Sequence, residues 1–409
     1  MNGRALPILT ALALAGCGGG GGGSAPGDPD RPGSPAEQGA RPDGTATQLE
    51  RLLARRAAAL EKGDAGAYAA TATGRQRTRD RRAARNARPL RLRDVELVVR
   101  AADVRGASAR LRVASLYGIR GIAGRFQSTR RVSAARTKVG WRVRSETSRR
   151  ERHPWELGRF TRSRSRHFVV LAPSDIDVEA GGLLEDLETG YERLGEAFSQ
   201  PKLRPRYLVL VAAGSGDARS LTQSISGVGN LAAISDTEVR ERGAARQVAS
   251  VASQRLVVVW SAFSSLDGEA RTRVVTHELT HAALAPATSG RTPAWLLEGT
   301  ALYVSGDDRV EMARALLDEI SLARLARPDA IARLSGPAQE AAYAYSSAAA
   351  FYLAERFGQS GLLDLYDVFN DEELEGDAGA ALTRRAVRKA LGVSLGRLEE
   401  DLRDWIAGG

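Results

Sequence analysis

The spacing of apolar residues divides the chain into two segments, and each segment predicts both helices and strands. Over residues 48–62 the apolar side chains recur at helical spacing, and a second helical stretch covers residues 65–73. The period then changes to two, which is typical of half-buried strands. Four strands are predicted there, at residues 95–99, 109–113, 126–132 and 141–143. Helices followed by an antiparallel sheet predict an α+β unit over residues 49–150.

The second segment, residues 155–409, begins with strands and continues into helices. Apolar runs predict strands at 167–172, 207–212 and 256–260, and helical spacing predicts a helix at 178–198. Towards the C-terminus the same spacing predicts amphipathic helices at 362–369, 378–391 and 395–406. We therefore expect an α+β fold class with a mostly helical C-terminal part.

Residues 1–16 combine a basic start, an apolar run and small residues, which together predict a secretory signal peptide. The apolar run, residues 5–15, is shorter than the ~18 residues needed to cross a bilayer. The segment ends in Leu14-Ala15-Gly16-Cys17, and Cys17 is the one Cys of the chain. This ending resembles a bacterial lipobox, which implies a diacylglyceryl group on Cys17 and cleavage before it. We therefore expect an extracytoplasmic protein that is lipid-anchored to the bacterial cell membrane.

Residues 17–48 have the composition of a flexible tether. Six consecutive glycines follow Cys17, and Ser, Pro, Asp and Gly are dense in the rest of the segment. Such a composition cannot bury enough apolar surface to offset the entropy of ordering the chain. The predicted tether separates the lipidated Cys from the folded units at 49–150 and 155–409.

Charge is distributed unequally between the two segments. The chain has 59 Lys plus Arg and 49 Asp plus Glu, and residues 1–150 carry a formal net charge of +18 against −8 for residues 151–409. The asymmetry predicts a domain boundary near residues 149–157. No aromatic residue interrupts the Arg-rich run 75–93, which argues against nucleic-acid binding. An anionic wall polymer or lipid is the expected contact of this basic unit, and a solvated basic face without a ligand is the alternative.

The chemically informative segment is His277-Glu278-Leu279-Thr280-His281. It lies in a predicted helix from Asp267 or Gly268 to Ala285, with Asp267 as the N-cap. Residues four apart share one face of a helix, so both imidazoles can reach one metal ion. Glu278 is about 100° around the axis, from where it can take a proton from an attacking water as a general base. A catalytic zinc site requires a third protein ligand.

A second motif supplies the candidate for that ligand. Sixteen residues separate His281 from Glu298, which lies in Trp295-Leu296-Leu297-Glu298-Gly299-Thr300-Ala301-Leu302-Tyr303. The combined pattern resembles the gluzincin metallopeptidases, closest to the peptidase-MA-like family, over residues 155–409. The resemblance implies a small mixed sheet, a zinc-binding helix and one Zn²⁺ per chain, held by His277, His281 and Glu298. It also implies Glu278 as the general base.

The resemblance extends to a third helix, which begins with Tyr343 and closes on Gly358. In related enzymes the first Tyr of this helix binds the oxyanion, which implies that role for Tyr343, with Tyr345 in reserve. An interhelical packing contact is the alternative for either Tyr. The partner that orients the histidines is not evident, because Leu302 stands four residues after Glu298.

Three further expectations complete the sequence analysis. Tyr303 and Asp307 are the candidates for orienting the histidines, whereas His153 and His167 are expected to be structural. The first unit resembles the cone-shaped superfamily of nuclear transport factor 2 and ketosteroid isomerase, and we expect it to be a binding or spacer module. Fold alone does not fix its function.

Two functions follow from these expectations. The Gly-x-Met-Glu-Asn segment of gluzincin aminopeptidases is absent, since Met1 and Met312 are the only Met residues. We therefore expect a zinc endopeptidase that hydrolyses peptide bonds of a protein or peptide substrate. The alternative is a non-enzymatic lipoprotein that binds an anionic wall or lipid component, with a structural or silent zinc site.

Overall fold

The structure is a computed structural model that describes residues 13–14, 43–148, 151–198, 203–222, 231–243, 246–316 and 320–408. Most of the predicted signal peptide, the predicted lipidation site Cys17 and most of the predicted tether lie outside these residues. The exception in the signal segment is Ala13–Leu14, which forms a two-residue strand, β1. No described helix is both long enough and apolar enough to span a membrane.

The first unit consists of three helices followed by a four-stranded antiparallel sheet. The helices are α1 (Asp43–Glu61), α2 (Ala65–Ala70) and α3 (Gly74–Ala87). The strands, in sheet order, are β2 (Leu92–Arg105), β3 (Ser108–Ile119), β4 (Phe126–Thr137) and β5 (Gly140–Thr147). All four predicted strands are present, and each is longer than its apolar alternation indicated.

Two boundaries in this unit differ from the prediction. Helix α1 begins at Asp43 rather than at residue 48, so the last part of the predicted tether is helical. It begins directly after Pro42, the last proline of the segment, and composition alone does not locate such a boundary. The Arg-rich run contains a complete helix, α3, which the sequence analysis treated only as a run of charge.

The second unit contains a mixed sheet in the order β1-β9-β10-β8-β7-β6. Strands β7, β8 and β10 are parallel to one another, whereas β6 and β9 pair antiparallel with β7 and β10. Their bounds are β6 (Phe160–Arg164), β7 (Phe168–Pro173), β8 (Tyr207–Ala212), β9 (Ala233–Arg242) and β10 (Gln247–Val259). The predictions found β7, β8 and β10 and missed β6 and β9.

Helices surround this sheet and form the C-terminal part. The shorter ones are α4 (Pro154–Leu157), α6 (Ser215–Leu221), α7 (Trp260–Phe263) and α10 (Val310–Ala315). The longer ones are α5 (Ala180–Ala197), α8 (Gly268–Leu284), α9 (Ala294–Ser305), α11 (Pro337–Asn370), α12 (Ala380–Leu391) and α13 (Leu395–Gly408). Helix α11 is kinked at Gly358, whose φ is 73°. The α+β class and the mostly helical C-terminal part are confirmed.

The central strands β7 and β8 and the end of β10 are buried on both faces of the sheet, which explains why they are continuous apolar runs. Val209 and Val211 of β8 belong to a core shared with the helices of the second unit. The alternating residues Leu208 and Leu210 belong to a core shared with the first unit, which also contains Tyr117, Phe126 and Trp155. The two units therefore share this second core. Deleting the first unit would expose the face of the sheet to water.

A buried cluster of charged side chains lies at the same junction. The Arg255 guanidinium on β10 contacts the carboxylates of Glu151, at 2.8 Å, and Asp236, at 2.7 Å. All three side chains are buried. Glu151 lies between the two sheets in sequence, so this cluster ties the connection between the units to strands β9 and β10.

Candidate metal centre and active site

Helix α8 places two imidazoles side by side in the interior of the second unit. The helix begins after Asp267, whose carboxylate accepts a hydrogen bond from the Ala270 backbone N–H at 2.8 Å, as the sequence predicts. His277 and His281 are one turn apart, and their Nε2 atoms are 3.0 Å from each other. Both side chains are buried. The predicted helical face that carries the two histidines is therefore present.

Helix α9 brings Glu298 to the same point. Its Oε2 atom lies 3.4 Å from His277 Nε2 and 3.5 Å from His281 Nε2. Three potential ligand atoms, one from each residue, therefore lie together. Glu298 is 5% exposed, and no described donor makes a well-aligned hydrogen bond to Oε2. A buried carboxylate oxygen without such a donor is costly unless a cation satisfies it.

The spacing of the three atoms fits a zinc ion. Two ligand atoms bound tetrahedrally to Zn²⁺ at 2.0–2.1 Å lie ~3.4 Å apart. The three separations, 3.0, 3.4 and 3.5 Å, bracket this value. Two imidazole nitrogens and one carboxylate also form a donor set that zinc accepts in catalytic sites. The residues present therefore fit a zinc site with three protein ligands.

Glu278 is fully buried beside this cluster and is held by the backbone of strand β9. Its Oε2 atom accepts a hydrogen bond of 2.6 Å from the backbone N–H of Ser235 on β9. Its Oε1 atom has no hydrogen-bond partner among the described residues. One oxygen is thus fixed by the backbone and the other is left able to accept a proton. The sequence analysis missed Ser235, because it did not predict strand β9.

The environment separates the acidities of the two carboxyl groups. Burial raises the pKa of Glu278 to about 7, and nearby Glu298 adds to the increase. Burial also tends to raise the pKa of Glu298, but His281 and His277 outweigh it and hold that pKa at about 2. Opposite shifts of two carboxyl groups in one site are typical of an acid–base residue beside a permanently ionised one.

The two histidines also differ in acidity. Burial lowers the pKa of His277. For His281, burial acts in the same direction, but the carboxylates of Glu298 and Glu278 outweigh it and raise its pKa. Metal binding requires both rings in the neutral form.

Close helix contacts fix the ligands in position. Gly299, the residue after Glu298, packs against α11 so closely that a Cβ there would lie 2.2 Å from the Ser346 carbonyl oxygen. Gly190 on α5 packs against α8, where a Cβ would lie 2.9 Å from Thr276 Oγ1. Only glycine permits such approaches. The helix that carries Glu298 is therefore packed tightly against α11, and the helix that carries the histidines is packed tightly against α5.

The structure distinguishes the two tyrosine candidates by their neighbours. Burial raises the pKa of Tyr345 to about 12, and the charged groups that affect it are Arg403 and Glu399 on α13. Its hydroxyl therefore faces α13. Tyr343 is buried, and its ring lies 5.8 Å from the Arg309 guanidinium. The role of Tyr343 in the reaction stays a prediction.

The remaining sequence candidates also have defined positions. The Asp307 carboxylate partly offsets the lowering of the His277 pKa by burial and is paired with Arg309 at 2.6 Å, whereas the Tyr303 hydroxyl accepts a hydrogen bond of 3.1 Å from Gln359. The role of either residue in orienting the histidines stays a prediction. His153 and His167 both lie outside the metal cluster. His153 stacks on Trp155, with 4.3 Å between ring centroids, and His167 stacks on Tyr191, with 3.8 Å.

Comparisons with known proteins give distant structural likenesses. No protein-family model and no curated protein matches the chain. An M1 zinc metallopeptidase from Deinococcus radiodurans is similar in structure, with 16% sequence identity and a TM-score of 0.29. The aligned region covers 78% of this chain and 61% of that one. A mutant M1 zinc metallopeptidase from the same organism, bound to a Tyr-Ser-Ala substrate, shares 15% identity and a TM-score of 0.31, over 78% and 62%. The chain thus spans less than two thirds of these peptidases.

An NTF2-like protein with a cystatin-like fold from Novosphingobium aromaticivorans is also similar. It shares 21% identity and a TM-score of 0.22, over 25% of this chain and 79% of that one. These likenesses are too distant to assign chemistry to the chain, so the argument for function rests on the geometry of the site.

Proposed function

We propose that this protein is a zinc metallopeptidase that cleaves peptide bonds within protein or peptide substrates, as an endopeptidase. The observation that carries the proposal is the convergence of His277, His281 and Glu298 beside a buried Glu278 that is not a ligand. A purely structural zinc site usually closes its fourth position with a protein ligand and has no use for a general base. Three ligands with an adjacent carboxyl group match a hydrolytic site instead.

The residues of the chain would divide the reaction between them. A Zn²⁺ held by the three ligands would polarise the substrate carbonyl and lower the pKa of a water molecule towards about 7. Glu278 takes the proton of the attacking water and returns it to the leaving amine. Its pKa of about 7 suits both steps, because the group can accept and release a proton near neutral pH.

Two further residues contribute by position. The Ser235 N–H fixes the orientation of the Glu278 carboxylate through the hydrogen bond to Oε2. Tyr343 would donate a hydrogen bond to the oxyanion, a contribution of about 3 kcal/mol for donors of this kind. The absence of the aminopeptidase segment Gly-x-Met-Glu-Asn favours the endopeptidase mode.

The proposal is tested by digesting an unbiased peptide library with the full chain and reading the products by mass spectrometry. Glu278→Gln should keep its zinc and lose activity about 10²–10⁴-fold, because only the proton transfer is removed. His277→Ala should lose the metal. The control is Glu269→Gln, an exposed change on the same helix, which should leave activity unchanged. If Glu278→Gln cleaves as fast as the wild type at equal zinc content, the mechanism is wrong.

The same experiment distinguishes the rival function. A non-enzymatic lipoprotein that binds an anionic wall or lipid component, with a structural zinc, predicts no hydrolysis of any peptide. It also predicts a large loss of thermal stability when zinc is removed. Hydrolysis by the wild type but not by Glu278→Gln rejects it.

We also propose that the protein is anchored outside the cytoplasm through a diacylglyceryl group on Cys17, as the lipobox resemblance implies. Mass spectrometry of the membrane fraction of the producing bacterium should find the chain beginning at a lipid-modified Cys17. The Cys17→Ser variant should leave that fraction. Recovery of Cys17→Ser in the same membrane fraction as the wild type would contradict lipid anchoring.

A further inference from the structure

The first unit contains a cavity of about 410 Å³ that lies away from the metal centre. Helices α1 to α4 and strands β4 and β5 supply its walls, and most of the side chains that line it are charged or polar. Ligand sites in proteins commonly have volumes of about 300–1,000 Å³. The cavity is therefore large enough for a molecule the size of a monosaccharide derivative.

A buried ion network forms one wall of the cavity. The Arg56 guanidinium is 1% exposed and donates hydrogen bonds to the carboxylates of Asp80, at 2.8 Å, and Glu146, at 2.7 Å. Burial raises the pKa of Glu146, but Arg56 and Arg130 outweigh it and hold that pKa below its ordinary value. A buried ion network is no more stabilising than apolar packing of the same volume, so stability alone does not explain it. A fixed polar wall is, however, what a polar ligand requires.

Two side chains that line the cavity beside this network, Tyr68 and Arg130, offer donors that the described residues leave unused. The Arg130 side chain, 1% exposed, contacts Glu156 through Nη2 and His153 through Nε, at 3.1 Å for the latter. Among the described residues no acceptor is bonded to its Nη1 atom or to the hydroxyl of Tyr68, whose ring lies 4.1 Å from the Arg56 guanidinium. Unused donors on a cavity wall favour a ligand rich in acceptors.

The mouth of the cavity carries an excess of positive charge. Arg79 and Arg82, one turn apart on α3, are exposed and line the cavity, and no described carboxylate lies within ion-pair distance of either. Five arginines and three carboxylates line the cavity in all, a net charge of +2. Paired guanidinium groups at such spacing suit a phosphate or carboxylate, which accepts several charge-assisted hydrogen bonds at once.

We infer that this cavity is a binding site for a small hydroxylated anion, of the size and polarity of a sugar phosphate or a uronic acid. The anionic group lies between Arg79 and Arg82, and the hydroxylated part extends inward to Tyr68 and Arg130. The site is separate from the metal centre, so the inference does not depend on the peptidase proposal. Phosphate and carboxylate share this recognition chemistry, and the choice between them is left to the experiment.

The test is isothermal titration calorimetry of the full chain with three probes: glucose 6-phosphate, glucuronate and neutral glucose. We expect saturable binding of at least one anionic probe and at least about tenfold weaker binding of glucose, because the charge-assisted bonds are lost. The double variant Arg79→Ala/Arg82→Ala should weaken the anionic probe about tenfold or more. Preference for glucose 6-phosphate or for glucuronate identifies the anionic group.

A matched control separates the cavity from general attraction by the basic helix. Arg81→Ala/Arg85→Ala removes the same charge from exposed positions of α3 that do not line the cavity, and should change affinity less than about twofold. All four positions are exposed, so thermal unfolding should stay close to the wild type in both variants. Equal weakening by the two double variants would indicate a diffuse basic surface and overturn the inference. So would the absence of saturable binding of both anions up to about 10 mM.

Discussion

Gly299 is the position where a single methyl group should disturb the metal centre most directly. It follows Glu298 and lies where α9 meets α11. A Cβ at this position would be 2.2 Å from the carbonyl oxygen of Ser346 and 3.0 Å from its carbonyl carbon. The oxygen belongs to the backbone of a long helix and cannot rotate away. Gly299→Ala therefore requires α9 and α11 to separate by about 1 Å, and Glu298 must move with α9.

The magnitude follows from two opposing effects. Overpacking a tight contact costs about 1–3 kcal/mol, and more when backbone must move. Replacing glycine by alanine within a helix raises the free energy of unfolding by about 1 kcal/mol. We expect a net loss of about 1–2 kcal/mol, which lowers the melting temperature by about 3–6 °C for a unit of this size. Displacing a ligand should also weaken zinc binding about 10–100-fold, by analogy with changes to groups that orient ligands.

The assays are thermal unfolding followed by circular dichroism and competition for zinc with a chelator of known affinity. Gly396→Ala in α13 is the control, because a Cβ there meets nothing within 4 Å. The control should be as stable as the wild type, or more stable by up to about 1 kcal/mol, with unchanged zinc affinity. A Gly299→Ala variant that melts at the wild-type temperature and binds zinc equally well would refute the tight approach of α9 to α11.

Two further predictions concern the junction between the units. Arg255→Met removes the guanidinium that contacts the buried carboxylates of Glu151 and Asp236, so the free energy of unfolding in guanidinium chloride should fall by about 3–5 kcal/mol. An unchanged midpoint would mean that water reaches the cluster. Burial, with Arg130 close by, holds the pKa of His153 well below its ordinary 6.5, so only the unfolded chain takes up its proton as pH falls below that value. This residue should therefore lower the free energy of unfolding by up to about 1.4 kcal/mol for each pH unit as the pH falls towards 5. His153→Gln should remove that part of the pH dependence. An equal pH dependence of stability in the wild type and the variant would contradict the prediction.

The metal cluster could be predicted to the extent that it depends on local geometry. Helical spacing alone places His277 and His281 on one face, and the N-cap by Asp267 is also a local feature. Glu298 was predicted as a ligand only from the resemblance to gluzincin metallopeptidases. Its position relative to the histidines depends on the packing of α9 against α8, which local spacing does not show. Ser235 could not be found in this way. Its backbone N–H serves Glu278, 43 residues later in the chain.

Strand β9 and helix α3 were missed for the same physical reason. Strand β9 buries Ser235, Asp236 and Thr237, whose polar groups conceal the alternation that would have predicted a strand. In helix α3 two of the inward-facing residues are Gln76 and Asp80, so its buried stripe looks polar in sequence. In both elements the polar groups are satisfied by distant partners, such as Arg255 for Asp236 and Arg56 for Asp80. Patterns of hydrophobicity cannot show partners that only the fold brings close.

The core shared between the units has a mechanical consequence. A force applied to the N-terminal end of α1 is transmitted to Leu60 and Tyr117. These residues pack in the same cluster as Leu208 and Val257 of the mixed sheet. Tension is therefore transmitted through this cluster to the strands of the mixed sheet, whose other face packs against α8. Under force the two units should rupture in a single event rather than one after the other. A protein tethered through its N-terminus would then withstand tension with its metal site intact up to one threshold, and lose both units beyond it.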